Sequence, residues 1–585
     1  MLERRLLALV LLCSSLLTVG VARAAEPIKL HPKNSHYLLF RGKPTVLVTS
    51  AEHYGAVLNP DFDYVPYLDE LESKGLNLTR TFAGTYAEVA GSFGIQKNTL
   101  APLSGKFLAP WARSATPGYA GGGNKFDLSK FNDAFFARLK DFVTKAGERG
   151  IVVELSLFCA LYDDNLWGIS PMNAINNVNG VGNVIRSEVF TLNNGGLLAV
   201  QDAFVAKVAS ELKEFDNVYY ELANEPYFGI SDEFQAHVLA TLTAAESGFP
   251  AKHAIARNFC NDKCDVGTPD AGISIFNFHY ADPPDAVGIN FAKNRVLGYD
   301  ETGFVGTADL PYRRGAWAFL LAGGAIFNNL DYSFTPDEED GSFAFTTSPG
   351  GGGATLRGQL KILKAFFDEF DFVHMAPMPG VLDVTPGGTT AYALVKAGAA
   401  YAIYLKDGVG GELKLELPAG SYRARWVDTK TGANAKVEMF DHAGGDRTLT
   451  SPAYSEDIAL DLRTLAEIEA GAAPHPSGGA GGAAVDGGGS GGGGGLTAGA
   501  GGAASPGSSG APGPSVGGIA ASGAAGPSAS NVSPAAADSG CGCRVPREQG
   551  PAQGAWAGLV AAFLLGARTR RRSGAERRRT RGGSG

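Results

Sequence analysis

Cysteine, methionine and tryptophan are scarce in this chain, with six, five and five among 585 residues. So few cysteines over that length exclude a scaffold built on disulfides. No set of ligands for structural zinc accompanies them: between Cys260 and Cys264, Asn261, Asp262 and Lys263 make no convincing site. No apolar run reaches the roughly 20 residues that span a bilayer. There is no phosphate loop, dinucleotide fingerprint or His-Glu-x-x-His, and no Gly-x-Ser-x-Gly elbow between a strand and a helix. No cofactor and no metal are expected. A basic surface is lacking too. The formal net charge is −9; residues 541–585 hold ten Arg against two Glu, so the rest of the chain carries −17. An acidic body speaks against a nucleic-acid partner.

What is present starts with export chemistry. Arg4 and Arg5 precede an apolar stretch, residues 6–21, and Ala22-Arg23-Ala24 forms a small-x-small cleavage site. Residues 1–24 therefore read as a signal peptide, and the protein is expected to be secreted or held at the cell surface. Cys13 would leave with that segment. Cys159 ends an apolar strand and reads as a buried thiol, while Cys260 and Cys264 lie close enough for a disulfide.

The next feature is an alternation. Short β-branched or aromatic runs occur at residues 45–53, 76–84, 151–158, 218–224, 253–259, 273–279, 295–301 and 325–332, with amphipathic segments between them. Phe135, Leu139, Phe142 and Ala146 repeat at helical spacing and stop at Gly150. Eight strands alternating with helices predict an α/β fold, a (β/α)8 barrel over residues 25–372, with an open doubly wound sheet as the alternative. Residues 373–465 change to short strands between Gly, Pro and Asp turns and predict a small all-β sandwich. Residues 466–540 are Gly, Ala, Ser and Pro, too poor in large apolar side chains to form a core, and read as a flexible linker. The tail, 541–585, carries Cys541 and Cys543, an apolar stretch and an Arg cluster.

In a barrel, chemistry sits at the C-terminal ends of the strands. Strand four ends Leu222-Ala223-Asn224-Glu225-Pro226, and strand seven ends Gly298-Tyr299-Asp300-Glu301. Each delivers a carboxylate to the mouth. Strands four and seven face each other across the pore, which is the placement a glycosidic bond needs between a proton donor and a nucleophile or base. A shift of one residue would put Asp300 in the place of Glu301. Glu154 and Glu221 lie mid-strand and read as buried, paired residues. Asp337, Glu338, Glu339 and Asp340 read as a solvated loop.

The stretch from Tyr219 to Tyr227, centred on Asn224-Glu225-Pro226, resembles the strand-four signature of clan A glycoside hydrolases, most closely the cellulase-like family 5. The resemblance covers the barrel. It implies an O-glycosyl hydrolase acting with retention on a poly- or oligosaccharide, cellulase- or mannanase-like, with Glu225 as acid/base and Glu301 as nucleophile. It further implies that Asn224 meets the sugar, that Arg80 supports the nucleophile, that His279 and Tyr280 stand beside it, and that His53 lines a subsite. The family's Trp platform at the end of strand eight is replaced here by Phe327 to Tyr332, so Tyr332 or Trp167 is expected to serve. The sandwich resembles a collagen-binding-like module. The tail resembles myxobacterial C-terminal sorting tails, which implies surface attachment. A non-catalytic glycan- or matrix-binding protein is the competing expectation.

Overall fold

Runs of apolar residues with no polar face suit parallel strands covered by helices on both sides. In the computed structural model, which describes residues 26–378, 383–385 and 388–472, eight such runs form one parallel sheet. They are β1 (Leu47–Ala51), β2 (Leu78–Phe82), β3 (Val152–Cys159), β4 (Val218–Asn224), β5 (Ile255–Asn261), β6 (Ile275–His279), β7 (Val296–Glu301) and β8 (Ile326–Leu330). Apart from β5, every residue in these strands is buried. β8 pairs with β1. The seam between β1 and β2 is closed by Asn77, whose side chain accepts from the Val48 amide and donates to the Val46 carbonyl, both at 2.9 Å. The (β/α)8 barrel expected from the alternation is what forms.

The helices that follow the strands include α1 (Tyr64–Ser73), α2 (Asp133–Glu148), α3 (Leu197–Leu212), α4 (Asp232–Ala245), α5 (Asp285–Asn290), α6 (Asp309–Leu321) and α7 (Ala354–Asp368). In α2, Asn132 caps the start by accepting from the Ala134 amide, and Phe135, Leu139, Phe142 and Ala146 form the buried stripe. Just past its end, Gly150 takes a φ of 69°, a backbone that glycine adopts without strain. Among the described residues no helix joins β5 to β6. Residues 262–274 form a loop there, and a Cys260–Cys264 disulfide closes its first turn. The loop after β2 contains a hairpin, Trp111–Pro117 with Asn124–Phe131, that the sequence reading did not distinguish.

After α7 come β9 (Thr390–Lys396), β10 (Ala400–Lys406), β11 (Glu412–Leu417), β12 (Gly420–Val427), β13 (Asn434–His442), β14 (Gly445–Thr450) and β15 (Asp457–Thr464). One sheet holds β9, β10, β15, β12 and β13, edged by the short strand Ala376–Pro377. The other holds β11 and β14 beside Asp383–Thr385. Their facing side chains, among them Ile403, Leu413, Leu415, Trp426 and Leu460, form a core of their own, and this is the expected all-β sandwich. A terminal helix, Leu465–Ala472, runs past residue 466, where the sequence suggested linker. The signal segment 1–24, the remainder of the linker and the tail 541–585 lie outside the described residues.

Candidate functional site

Two pairs of adjacent residues at the barrel mouth both turn inward, although side chains on a regular strand alternate. At the end of β7 the pairing with β6 slips: Phe278 opposes Tyr299, but His279 opposes Glu301. Asp300 is the extra residue of that bulge, and both it and Glu301 reach the Arg80 guanidinium. At the end of β4, Glu225 takes a left-handed backbone with φ of 46°, so Asn224 and Glu225 both face the pore. Tyr54, past β1, and Tyr280, past β6, have φ of 56° and 52°. Such conformations cost a non-glycine residue on the order of 1 kcal/mol or more and gather where function requires them.

Glu225 and Glu301 are both buried, and one carboxylate oxygen of each lies within 4.8 Å of the other. Their partners differ. Glu225 accepts from the hydroxyls of Tyr162 at 2.6 Å and Tyr227 at 3.1 Å. Glu301 accepts from Tyr54 at 3.0 Å, Tyr280 at 3.1 Å and Arg80 Nη1 at 3.1 Å. His279 Nδ1 stands between them, 3.2 Å from Glu225 and 3.3 Å from Glu301. Burial alone would raise the Glu301 pKa, but the His279 imidazolium, Arg80 and the Tyr54 hydroxyl outweigh it and hold the carboxyl at about 2. Burial alone would also lower His279, yet Glu301 and Asp300 hold it well above the usual histidine range. The phenols of Tyr54, Tyr162, Tyr227 and Tyr280 are raised, first by burial, and remain hydrogen-bond donors.

Beneath this pair lies a second acidic layer. Arg80, fully buried, meets Glu221, Asp300 at 3.5 Å and Glu154 at 3.8 Å, and donates to Asn224 Oδ1 at 2.8 Å. Burial raises both Glu154 and Glu221. Asn277 donates to Glu154 at 2.7 Å and to Glu221 at 3.1 Å. Glu154 and Glu221 are thus buried and partnered, as their mid-strand positions predict. Among the described residues, two groups have the proximity to ligate a metal: Glu225, His279 and Glu301, and Glu154, Glu221 and Asp300. In the second group the Arg80 guanidinium already faces Glu221 and Asp300 as their cation.

Aromatic rings surround the pair. Tyr54, Phe82, Tyr86 and Tyr162 follow one another with centroids 4.9, 5.6 and 6.2 Å apart. From Tyr162 the chain of rings continues to Phe93 and Phe304, at 5.3 and 6.3 Å. It returns through Tyr332 and His53, at 6.2 and 5.9 Å, to Tyr54 at 5.6 Å.

The structure brings together Glu225, Glu301, Asn224, Arg80, His279 and Tyr280. His53 and Tyr332 join them in the ring wall, and His53 Nε2 lies 3.4 Å from Glu88. Trp167 is not among the partners of either carboxylate. It is buried in a short helix after β3, Asp164–Ile169, and its indole donates to the Val184 carbonyl at 3.1 Å. The run from Asp337 to Asp340 is more than a solvated loop: Glu338 pairs with Lys97 at 2.6 Å and Glu339 accepts from the Asp63 amide at 3.2 Å. Sequence reasoning missed Tyr54, Tyr162 and Tyr227. Each stands a few residues past a strand end, the position that singled out the two glutamates, and that criterion would have found them. Glu88 and Phe93, inside a long loop, carry no such signal.

No protein-family model and no curated protein matches the chain by sequence. Solved structures do match. A presumptive glycoside hydrolase from Bacteroides vulgatus superposes with a TM-score of 0.56 at 13% identity, over 76% of this chain and 84% of that one. A family 5 glycoside hydrolase from the same organism gives 0.53 at 15% identity, over 76% and 96%. Glycoside hydrolases use this fold. At such identities the likeness speaks for the fold alone.

Proposed function

We propose that this protein is a retaining glycoside hydrolase that cleaves an O-glycosidic bond of a poly- or oligosaccharide with Glu225 and Glu301. The observation that carries the reading is a pair of buried carboxyl groups, from the ends of β4 and β7, with oxygens within 4.8 Å and different partners. Retaining pairs stand about 5–5.5 Å apart and inverting pairs about 6.5–9.5 Å, so the closeness supports double displacement. The roles follow from the partners. Glu301, held ionised by the imidazolium, Arg80 and the Tyr54 hydroxyl, attacks the anomeric carbon. Glu225, on the leaving-group side, gives a proton to the leaving oxygen as the glycosidic bond breaks. Glu225 then takes a proton from water, the water oxygen bonds to the anomeric carbon, and Glu301 leaves as a carboxylate. Export and surface attachment remain part of the same reading, through residues 1–24 and 541–585.

Proton NMR of the first-formed product tests this. Wild-type protein should release the anomer of the substrate's own configuration. Glu301→Ala should lose turnover and regain it in azide, giving a glycosyl azide of inverted configuration. An inverted first product from the wild type would refute the assignment of Glu301 as nucleophile.

A further inference from the structure

We propose that the site is exo-acting, holding a single terminal sugar ring and releasing it as a monosaccharide; this rests on the glycosidase reading above. A proton donor must face the leaving oxygen, so the leaving group lies on the Glu225 side. That side is open. Pro226 and Tyr227, directly after Glu225, begin a groove of about 710 Å³ that continues to Ser231, Arg257, Phe259 and Asp270. Tyr227 and Phe228 are 37% and 46% exposed, and such rings offer an apolar face on which a sugar can stack.

The other side is bridged, although Phe93, the ring that bridges it, is 42% exposed. β3 and β7 stand opposite each other in the eight-strand ring. Phe93, on the loop after β2, touches Tyr162 beyond β3 and Phe304 beyond β7, and so lies across the mouth. Tyr162 donates to Glu225, which ties one end of this bridge to the reacting pair. Further out, the loops after β2 and β8 are tied together. Lys97 pairs with Glu338 at 2.6 Å and sits 5.0 Å from the Phe343 ring centroid, and Gln96 Oε1 accepts from the Thr346 amide at 3.1 Å. A second sugar on the glycone side would have to pass through that tie. Inside the bridged end, His53 Nδ1 and the Tyr332 hydroxyl are buried without hydrogen-bond partners among the described residues. Unpaired buried polar atoms are costly, and these match the extra free hydroxyl that only a terminal, non-reducing sugar presents.

Paired aryl glycosides test the inference on the whole protein. The para-nitrophenyl β-glucoside, β-mannoside and β-xyloside are compared with the para-nitrophenyl β-cellobioside, β-mannobioside and β-xylobioside, following nitrophenol and the sugar released. For the sugar that fits, kcat/KM on the monosaccharide should exceed that on the disaccharide at least about tenfold, and the disaccharide should yield a monosaccharide first. An intact disaccharide as first product would overturn exo action and leave the glycosidase reading standing. Inertness towards every pair, and towards a polysaccharide panel, would overturn the glycosidase reading itself. Untying the loops with Gln96→Ala and Lys97→Ala should raise direct disaccharide release about tenfold relative to monosaccharide. An unchanged ratio would overturn the assignment of the tie as the barrier.

Discussion

His279 presents one nitrogen, Nδ1, to two carboxylates, at 3.2 and 3.3 Å, while Asp300 lies 3.7 Å from its other nitrogen. An imidazole so placed stays protonated, because the surrounding negative charge outweighs the burial that would discharge it. Its charge has a measurable consequence at Glu301. That carboxyl titrates at about 2 in the folded protein, below the roughly 4.3 of an unperturbed glutamate. The stabilisation it contributes is therefore complete above the unfolded value and is lost as pH falls through the folded one. The nucleophile should likewise stay ionised well into acid. His279→Asn removes the first of the favourable charges, so the Glu301 pKa should rise and the acid limb of kcat/KM should move to higher pH. A pH–rate profile on the best aryl glycoside reads this. An unmoved limb would mean that Arg80 and Tyr54 alone keep Glu301 ionised.

At the scale of elements, strands were easier to read than the loops between them. β4 and β7 were legible because each is an apolar run that stops at an acid, a pattern that packing does not ask for. The acid that stands at the mouth was also legible, but not why its neighbour faces inward too. The bulge at Asp300 is a pairing event between two strands, and nothing local to either strand encodes it. The ring wall was illegible for a related reason: Phe93 meets Phe304, 211 residues further along the chain, only because the barrel brings their loops to one mouth. β13 has no buried residue: its half-buried positions, Lys436, Glu438, Phe440 and His442, alternate with exposed ones, so two of its apolar side chains, Val437 and Met439, point outward and its alternation does not mark a core face. The β5–β6 connection offers a test at this scale. It has a disulfide where its neighbours have a helix, and Cys264 lines the groove beside Tyr227. A loop that short loses little entropy on closure, so Cys260→Ser with Cys264→Ser should cost no more than about 2 kcal/mol in chemical unfolding. It should raise KM for substrates with a sugar leaving group while sparing kcat on a simple aryl glycoside. Loss of all turnover would show that the loop shapes the reacting centre itself.

At the scale of the whole molecule, the sequence divides the chain into a barrel and a sandwich, but the packing joins them. Leu394, Ala402, Tyr404, Val427 and Ala459 of the sandwich belong to the same buried cluster as the barrel, so its larger sheet is covered on both faces. Trp317 of α6 is fully buried, with Tyr404 stacked on it at 5.6 Å. Arg313, one turn earlier, donates to Asp457 at 3.0 and 3.1 Å and to Glu456 at 2.6 Å. Arg463 returns the contact, donating to the Glu369 carbonyl at 2.7 Å and its carboxylate at 2.9 Å. Removing one partner of a buried ion pair leaves an uncompensated charge and costs about 3–5 kcal/mol. Arg313→Ala should therefore lower stability by that order, although it lies on the outer helix layer and touches neither glutamate. A chain ended at residue 375 would expose Trp317 and the α6 face at about 1.5–3 kcal/mol for each large side chain uncovered, and would strand Arg313 as well. It should aggregate or melt far below the full chain. A chain ended at residue 472 keeps β15, the terminal helix and the Lys396–Glu467 pair at 2.8 Å, and should retain both melting temperature and turnover. Thermal melts of the two truncations decide between a sandwich that completes the barrel's core and one that merely hangs from it: a stable, active chain ending at 375 would exclude the first.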